Sequence, residues 1–317
     1  MKRLFAILLT SATLLVFRTE AAEPAADRAY QAPLAAHAPL VTAIQAGQRI
    51  VAAGDYGIIL LSDDRGQTWR QAKDVPTTTM ITDLSFADGS HGWATAHGGL
   101  LLATEDGGET WRVAQRAAPD VVPMSIAFDR KGTGIMVGTY GYAMRTEDGG
   151  RSWAPFTLEG GDIPDRHLNH VFSTGDGSFV IVGEVGAVYR SDDGGHSWDF
   201  QELPIKGSLW YGTALRSGGV LISGMGGRLL RSEDGRQGWT PLDAATDQSL
   251  TGIAELADGR VVVVGLGGTV SVGAADGSGF AIVPRPDRGT YAAVLPIDND
   301  AVLLFGGAGV TSARLAK

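Results

Sequence analysis

One octet recurs along this chain. It reads SDDRGQTW from Ser62, TEDGGETW from Thr104, TEDGGRSW from Thr146, SDDGGHSW from Ser191 and SEDGRQGW from Ser232, with a worn copy, GAADGSGF, from Gly273. The copies start 42, 42, 45, 41 and 41 residues apart. A fixed period of about 40 residues signals a repeat architecture, in which each unit buries its apolar surface against its neighbours.

The repeated frame is longer than the octet. A glycine stands five residues before each copy, at Gly57, Gly99, Gly141, Gly186, Gly227 and Gly268. Apolar runs such as IILL and AVYR lie between that glycine and the octet, and strand-like stretches such as RIVAAG, FVIVG and RVVVVG come before it. Each unit thus reads as four short antiparallel strands, which is a propeller blade. Within the octet the Ser/Thr and the Asp suit bonds to local backbone N–H groups, and the glycines suit positive φ. Asp64, Asp106, Asp148, Asp193 and Asp234 are therefore assigned to turns. Trp69, Trp111, Trp153, Trp198 and Trp239 are assigned to packing between blades. One carboxylate per turn is too few for a calcium site.

A seventh glycine turn, Gly309, follows Gly268 by 41 residues, but the chain stops before a seventh octet. At the other end YQAPLAAHAPLVTAI matches WTPLDAATDQSLTGI from Trp239, with Tyr30 in the Trp place. The expectation is an all-β, seven-bladed propeller of four-stranded blades. Residues 28–36 would form the outer strand of the last blade and close the ring.

Lys2 and Arg3 precede an apolar run, Leu4 to Phe17, and a small-residue stretch. The run has the proportions of a secretory signal. Residues 1–21 are expected to be a signal peptide cut after Ala21 or Ala22, leaving a single domain over 22–317 in the periplasm. The chain has no cysteine, which removes disulfides and thiol chemistry. Its formal charge is −9. Losing residues 1–21 removes three positive charges and one negative, for about −11, a poor balance for nucleic-acid binding. No cofactor is expected.

The frame is fullest in GTYGYAMRTEDGGRSW and GEVGAVYRSDDGGHSW. There it resembles the photosystem II stability/assembly factor-like propellers, over about residues 28–317. The resemblance implies a non-catalytic accessory protein that helps a membrane complex assemble or work. In non-photosynthetic bacteria such relatives are often encoded beside RND-type exporters. With a plain secretory signal, the expected partner is an envelope complex. In a photosynthetic host it would be photosystem II.

Two groups of residues are candidates for function. Arg145, Arg190 and Arg231 precede the Ser/Thr of octets three, four and five, and Arg228 lies three residues before Arg231. Repeat equivalence puts the first three at one height on adjacent blades. They either form a docking arc for carboxylates or each pairs with an acid of a box. The second group is the channel mouth: Asp83, Ser125, His167, His170, Trp210 and Tyr211, with Asp165 and Asn169 nearby. The histidines are three apart and point to opposite faces of a strand, so no metal site is assigned. The rival class is a carbohydrate-active enzyme or glycan binder. It would need two carboxylates facing across the cleft, for which Asp83 and Glu255 are the obvious pair.

Overall fold

The computed structural model describes residues 28–160, 166–175, 177–274 and 276–315. The expected signal peptide and Asp165 lie outside them. Seven antiparallel sheets follow one another along the chain; six have four strands and the last has three. The first strand of each sheet is innermost: Leu40–Ala46, Ile81–Phe86, Pro123–Phe128, Leu168–Ser173, Leu209–Ala214, Leu250–Glu255 and Tyr291–Pro296. Each touches the next around a closed ring, and the seventh touches the first. This is the seven-bladed propeller that the glycine spacing predicts.

Five of the second strands are buried from end to end, as in Gly134–Gly138, Phe179–Gly183 and Val261–Gly265, and the other two are buried after their first residue. A strand covered on both faces reads as a continuous apolar run rather than an alternation. That is why VVVV and FVIV stand where they do. Apolar clusters fill the seams between blades; one joins Trp111 to Val51, Leu61 and Leu84 across blades one and two.

The repeat glycines are required by close approach. Gly57, Gly227, Gly268 and Gly309 have φ of 67°, 70°, 82° and 80°, and a Cβ on each would fall on the carbonyl of Thr77, Thr246, Asp287 or Ala36. The last contact shows how the ring closes. Ala36 takes the place that the crossover to the next blade takes elsewhere, so the N-terminal segment completes the frame of blade seven at Gly309.

It does so without adding the expected outer strand. Residues Ala35–His37 form a 3-10 turn against the third strand of the last blade. Upstream of it the chain is bonded to blade one: Ala29 N–H donates to Val75 O at 3.0 Å, and Gln31 Nε2 to Ala72 O at 2.8 Å. Tyr30 is 78% exposed, so it does not fill the Trp place. The physical reason is in the partners. Gln71 takes the Ala32 N–H and donates to the Tyr30 carbonyl, satisfying main-chain groups that a strand pairing would otherwise have used.

Candidate functional site: the channel and its two faces

The first four octets build the same Asp-centred turn. In the first, Ser62 Oγ donates to Asp64 Oδ1 at 2.8 Å and accepts the Gly66 N–H at 2.8 Å. Thr68 gives its N–H at 2.9 Å and its hydroxyl at 2.6 Å to the same carboxylate. The Thr68 hydroxyl is the main reason the Asp64 pKa is held down to about 2. Asp106, Asp148 and Asp193 repeat the arrangement. Trp69, Trp111 and Trp198 lock the turn by donating to the carbonyls of Gly66, Gly108 and Gly195. In the fifth octet Gly238 replaces the Ser/Thr, so Asp234 keeps only backbone donors beyond Ser232, and Trp239 turns to Gln201 Oε1 at 3.0 Å. Trp153 Nε1 is buried without a partner. The aspartates of these octets spend their hydrogen-bonding capacity within their own turns.

The three arginines do not form a free arc. Arg145 pairs with Glu147 at 2.8 Å, Arg190 with Asp192 at 2.8 Å and Arg231 with Glu233. Each acid sits two residues after its arginine, in the octet that the arginine precedes. Further contacts stitch one octet to the next, as in His196 to Glu147 at 3.0 Å and Arg236 to Asp192. Arg228 is bonded to a neutral group, the Met225 carbonyl, at 2.6 Å.

The channel holds a cavity of 630 Å³. Every inner strand carries a β-bulge at the same level, which re-aims one side chain. The bulge residues are Val41, Thr82, Met124, Asn169, Trp210, Thr251 and Ala292, and all seven line the cavity. They alternate apolar and polar, and each polar one reaches the next blade. Thr82 Oγ1 donates to Pro123 O at 2.7 Å, Asn169 Nδ2 to Leu209 O at 2.7 Å and Thr251 Oγ1 to Tyr291 O at 2.5 Å.

One step further along the strands stand Thr42, Asp83, Ser125, His170 and Tyr211. Thr42 donates to Asp83 Oδ1 at 3.2 Å and Ser125 to Asp83 Oδ2 at 2.7 Å. The Leu84 and Ile126 amides fill the remaining lone pairs at 2.8 and 3.1 Å. Burial pushes the Asp83 pKa up against these donors. The His170 ring lies 4.2 Å from that of Tyr211, and burial drives its pKa down to about 3, so it is neutral. Its Nδ1 is buried without a partner. Burial, with the Asp83 charge behind it, raises the Tyr211 hydroxyl to about 12. His167 is separate from this group, with its ring 5.0 Å from that of Tyr140.

Asp83 and Glu255 are not brought together. Among the described residues Asp83 is the one carboxylate lining the cavity, whereas Glu255 is held by the Arg216 amide at 2.8 Å and its guanidinium at 3.4 Å. The two-carboxylate geometry of a glycosidase is thus not formed by this pair.

The face that carries the repeat glycines has a second feature. Tyr56, Tyr140 and Val185 precede Gly57, Gly141 and Gly186, and have φ of 59°, 54° and 55°. The equivalent places on other blades are Gly98, Gly226 and Gly267. All three side chains are exposed. Large side chains held in the left-handed region cost stability, and for valine the cost is highest.

Fold and site together define an Asp-box β-propeller whose inner strands are joined by side-chain hydrogen bonds around the channel. The family model of the Photosynthesis system II assembly factor YCF48 matches residues 70–310, and the chain belongs to that family. Among solved structures it is similar to "YCF48 bound to D1 peptide", at 18% identity and a TM-score of 0.72, over 92% of this chain and 97% of that one. It is also similar to YCF48 from Cyanidioschyzon merolae, at 16% identity and 0.71, over 90% and 98%. U3-55K matches at 10% identity and 0.73, over 88% and 96%. At these identities the likeness speaks for the fold. None of the curated proteins matches.

Proposed function

We propose that the protein is a non-catalytic binding platform that acts outside the cytoplasm and supports the assembly or working of a membrane protein complex in the cell envelope. The family supplies the class, since its members are assembly factors. The observation that carries the reading to this chain is the saturation of Asp83. Its two oxygens take four donors from three adjacent blades, so the one carboxylate lining the cavity among the described residues serves as a joint. A relative solved with a bound peptide supports a protein ligand. The basic and apolar start of the chain supports export. An RND-type exporter is the first partner to test.

The test is crosslinking of the tagged protein in its host, followed by mass spectrometry of what it captures. A dominant membrane complex is expected. Capture of abundant envelope proteins alone would overturn the proposal.

A further inference from the structure

We propose that the outer edge of the third strand of blade seven, Gly309–Arg314, is a docking edge for an extended, acidic segment of a protein partner, which adds there as a fourth strand. The inference rests on the protein-binding reading above and gives it a place and a chemistry.

The seat is one that the fold fills six times. Blades one to six carry outer strands at Arg70–Gln71, Arg112–Arg116, Ala154–Pro155, Asp199–Glu202, Thr240–Asp243 and Ala281–Ile282. Their sequences have little in common, because the pairing is made by the main chain. In blade seven the same edge is unpaired among the described residues. The chain's own segment before Ala35 is bonded to blade one instead. An unpaired edge strand is a template for another chain, and proteins ordinarily cover or shorten such edges.

The edge strand is six residues long, and the main-chain groups of alternate residues face away from the strand it pairs with. The Ser312 carbonyl turns away from the neighbouring strand and accepts a bond from Arg285 Nη1 at 3.0 Å. Alternation places the main-chain groups of Val310 and Arg314 on the same side. Arg285 is itself held by Asp287 at 3.0 Å, so it caps the edge as a single donor that an incoming N–H can replace.

Charge names the occupant. Ser312 and Arg314 are exposed. Arg65 reaches the same blade from the first octet, donating to the Ile297 carbonyl. Among the described residues neither Arg65 nor Arg314 has a carboxylate partner. Beside the edge lies a cleft of 210 Å³ lined by Arg65, Gly66, Gln67, Ile297, Leu303 and Ser312. A side chain of the added strand fits there, and a carboxylate would meet the Arg65 guanidinium.

The experiment uses the full chain. With no native cysteine, Ser312→Cys provides one attachment point for a photo-crosslinker, applied to solubilised envelope membranes of the host. The expected product is a crosslink to an acidic, extended segment of the partner captured in the cell. Two further variants are compared for capture. Ser312→Pro removes an outward N–H at an edge position that tolerates proline, and the pair Arg65→Glu with Arg314→Glu reverses the charge while leaving the main-chain groups of the edge strand in place. Each is expected to lower capture about tenfold, the effect of 1.4 kcal/mol, while thermal unfolding shows the ring intact. If both variants capture the partner as the parent does, the docking edge is overturned and the protein-binding reading stands. A crosslink from position 312 only to residues 28–34 of the same chain also overturns it. If the parent captures no partner, both readings fall.

Discussion

Ser125 Oγ, on the inner strand of blade three, donates to Asp83 Oδ2 of blade two at 2.7 Å and accepts the Val171 N–H of blade four at 3.1 Å. One hydroxyl thus joins three blades beside the channel. The Ile126 N–H needs the same Asp83 oxygen, at 3.1 Å. Asp83→Asn would set an amide NH2 against one of the backbone donors and leave it unpaired. The expected cost is about 1–3 kcal/mol in urea unfolding. An unchanged midpoint would show that the joint contributes nothing.

His170 sets an acid limit. Its folded pKa, about 3, lies below the ordinary histidine value. The unfolded chain therefore binds the extra proton first. Stability is fully present above about pH 6.5 and falls as the pH drops toward the folded value, with a slope near 1.4 kcal/mol per pH unit. His170→Phe keeps the ring against Tyr211 and removes the titration. Chemical denaturation at pH 7, 6 and 5 should show a shallower decline in the variant. Parallel lines would refute the assignment.

Val185 is a β-branched residue at φ 55°, exposed at the turn before Gly186. Gly226 holds the same place on the next blade at φ 65°. Val185→Gly should stabilise the protein by about 1 kcal/mol, the relief of left-handed strain less the added freedom of the unfolded glycine. A loss of stability would mean that the side chain makes a contact worth more than its strain.

The paired arginines give a negative control. Arg145, Arg190 and Arg231 spend their charge on Glu147, Asp192 and Glu233. Replacing all three with alanine should leave partner capture within about twofold and cost up to roughly 1 kcal/mol per pair in stability. A sharp loss of capture from a folded ring would restore the arc as a docking surface.

The sequence made the blades legible because each glycine turn and octet is a local device whose residues are adjacent in the chain. It also carried the arginine pairing. Residues two apart on a strand share a face, so Arg145 with Glu147 and Arg190 with Asp192 were open to reading. Asp83 and Ser125 could be set at one level by counting from the glycines, and the structure joins them. The bulges were hidden. Val41, Thr82, Met124 and Asn169 share no residue type, since a bulge is fixed by how two strands meet and by the crowding of seven strands at the axis. The course of residues 28–34 was hidden for another reason. Their match to the segment from Trp239 is real, but Gln71 offers side-chain bonds that pull the chain to blade one.

The alternation of the seven bulge residues has an arithmetic consequence. Two kinds of residue cannot alternate around an odd ring without one repetition, and here the repetition is Ala292 beside Val41. Among the described residues every other boundary has a side-chain hydrogen bond that reaches an inner strand, made by Thr42, Thr82, Ser125, Asn169, Ser223 or Thr251. At the boundary of blades seven and one, an apolar cluster that includes Leu40, Ala43, Ala293 and Leu295 lies between the inner strands instead, with Trp69 edge-on to Phe305 further out. The same boundary is the one where the first and last blades must find each other. The one repetition in the alternation thus falls at the boundary made between the two ends of the chain, and an apolar contact that tolerates small misalignment suits a joint between segments so far apart in sequence.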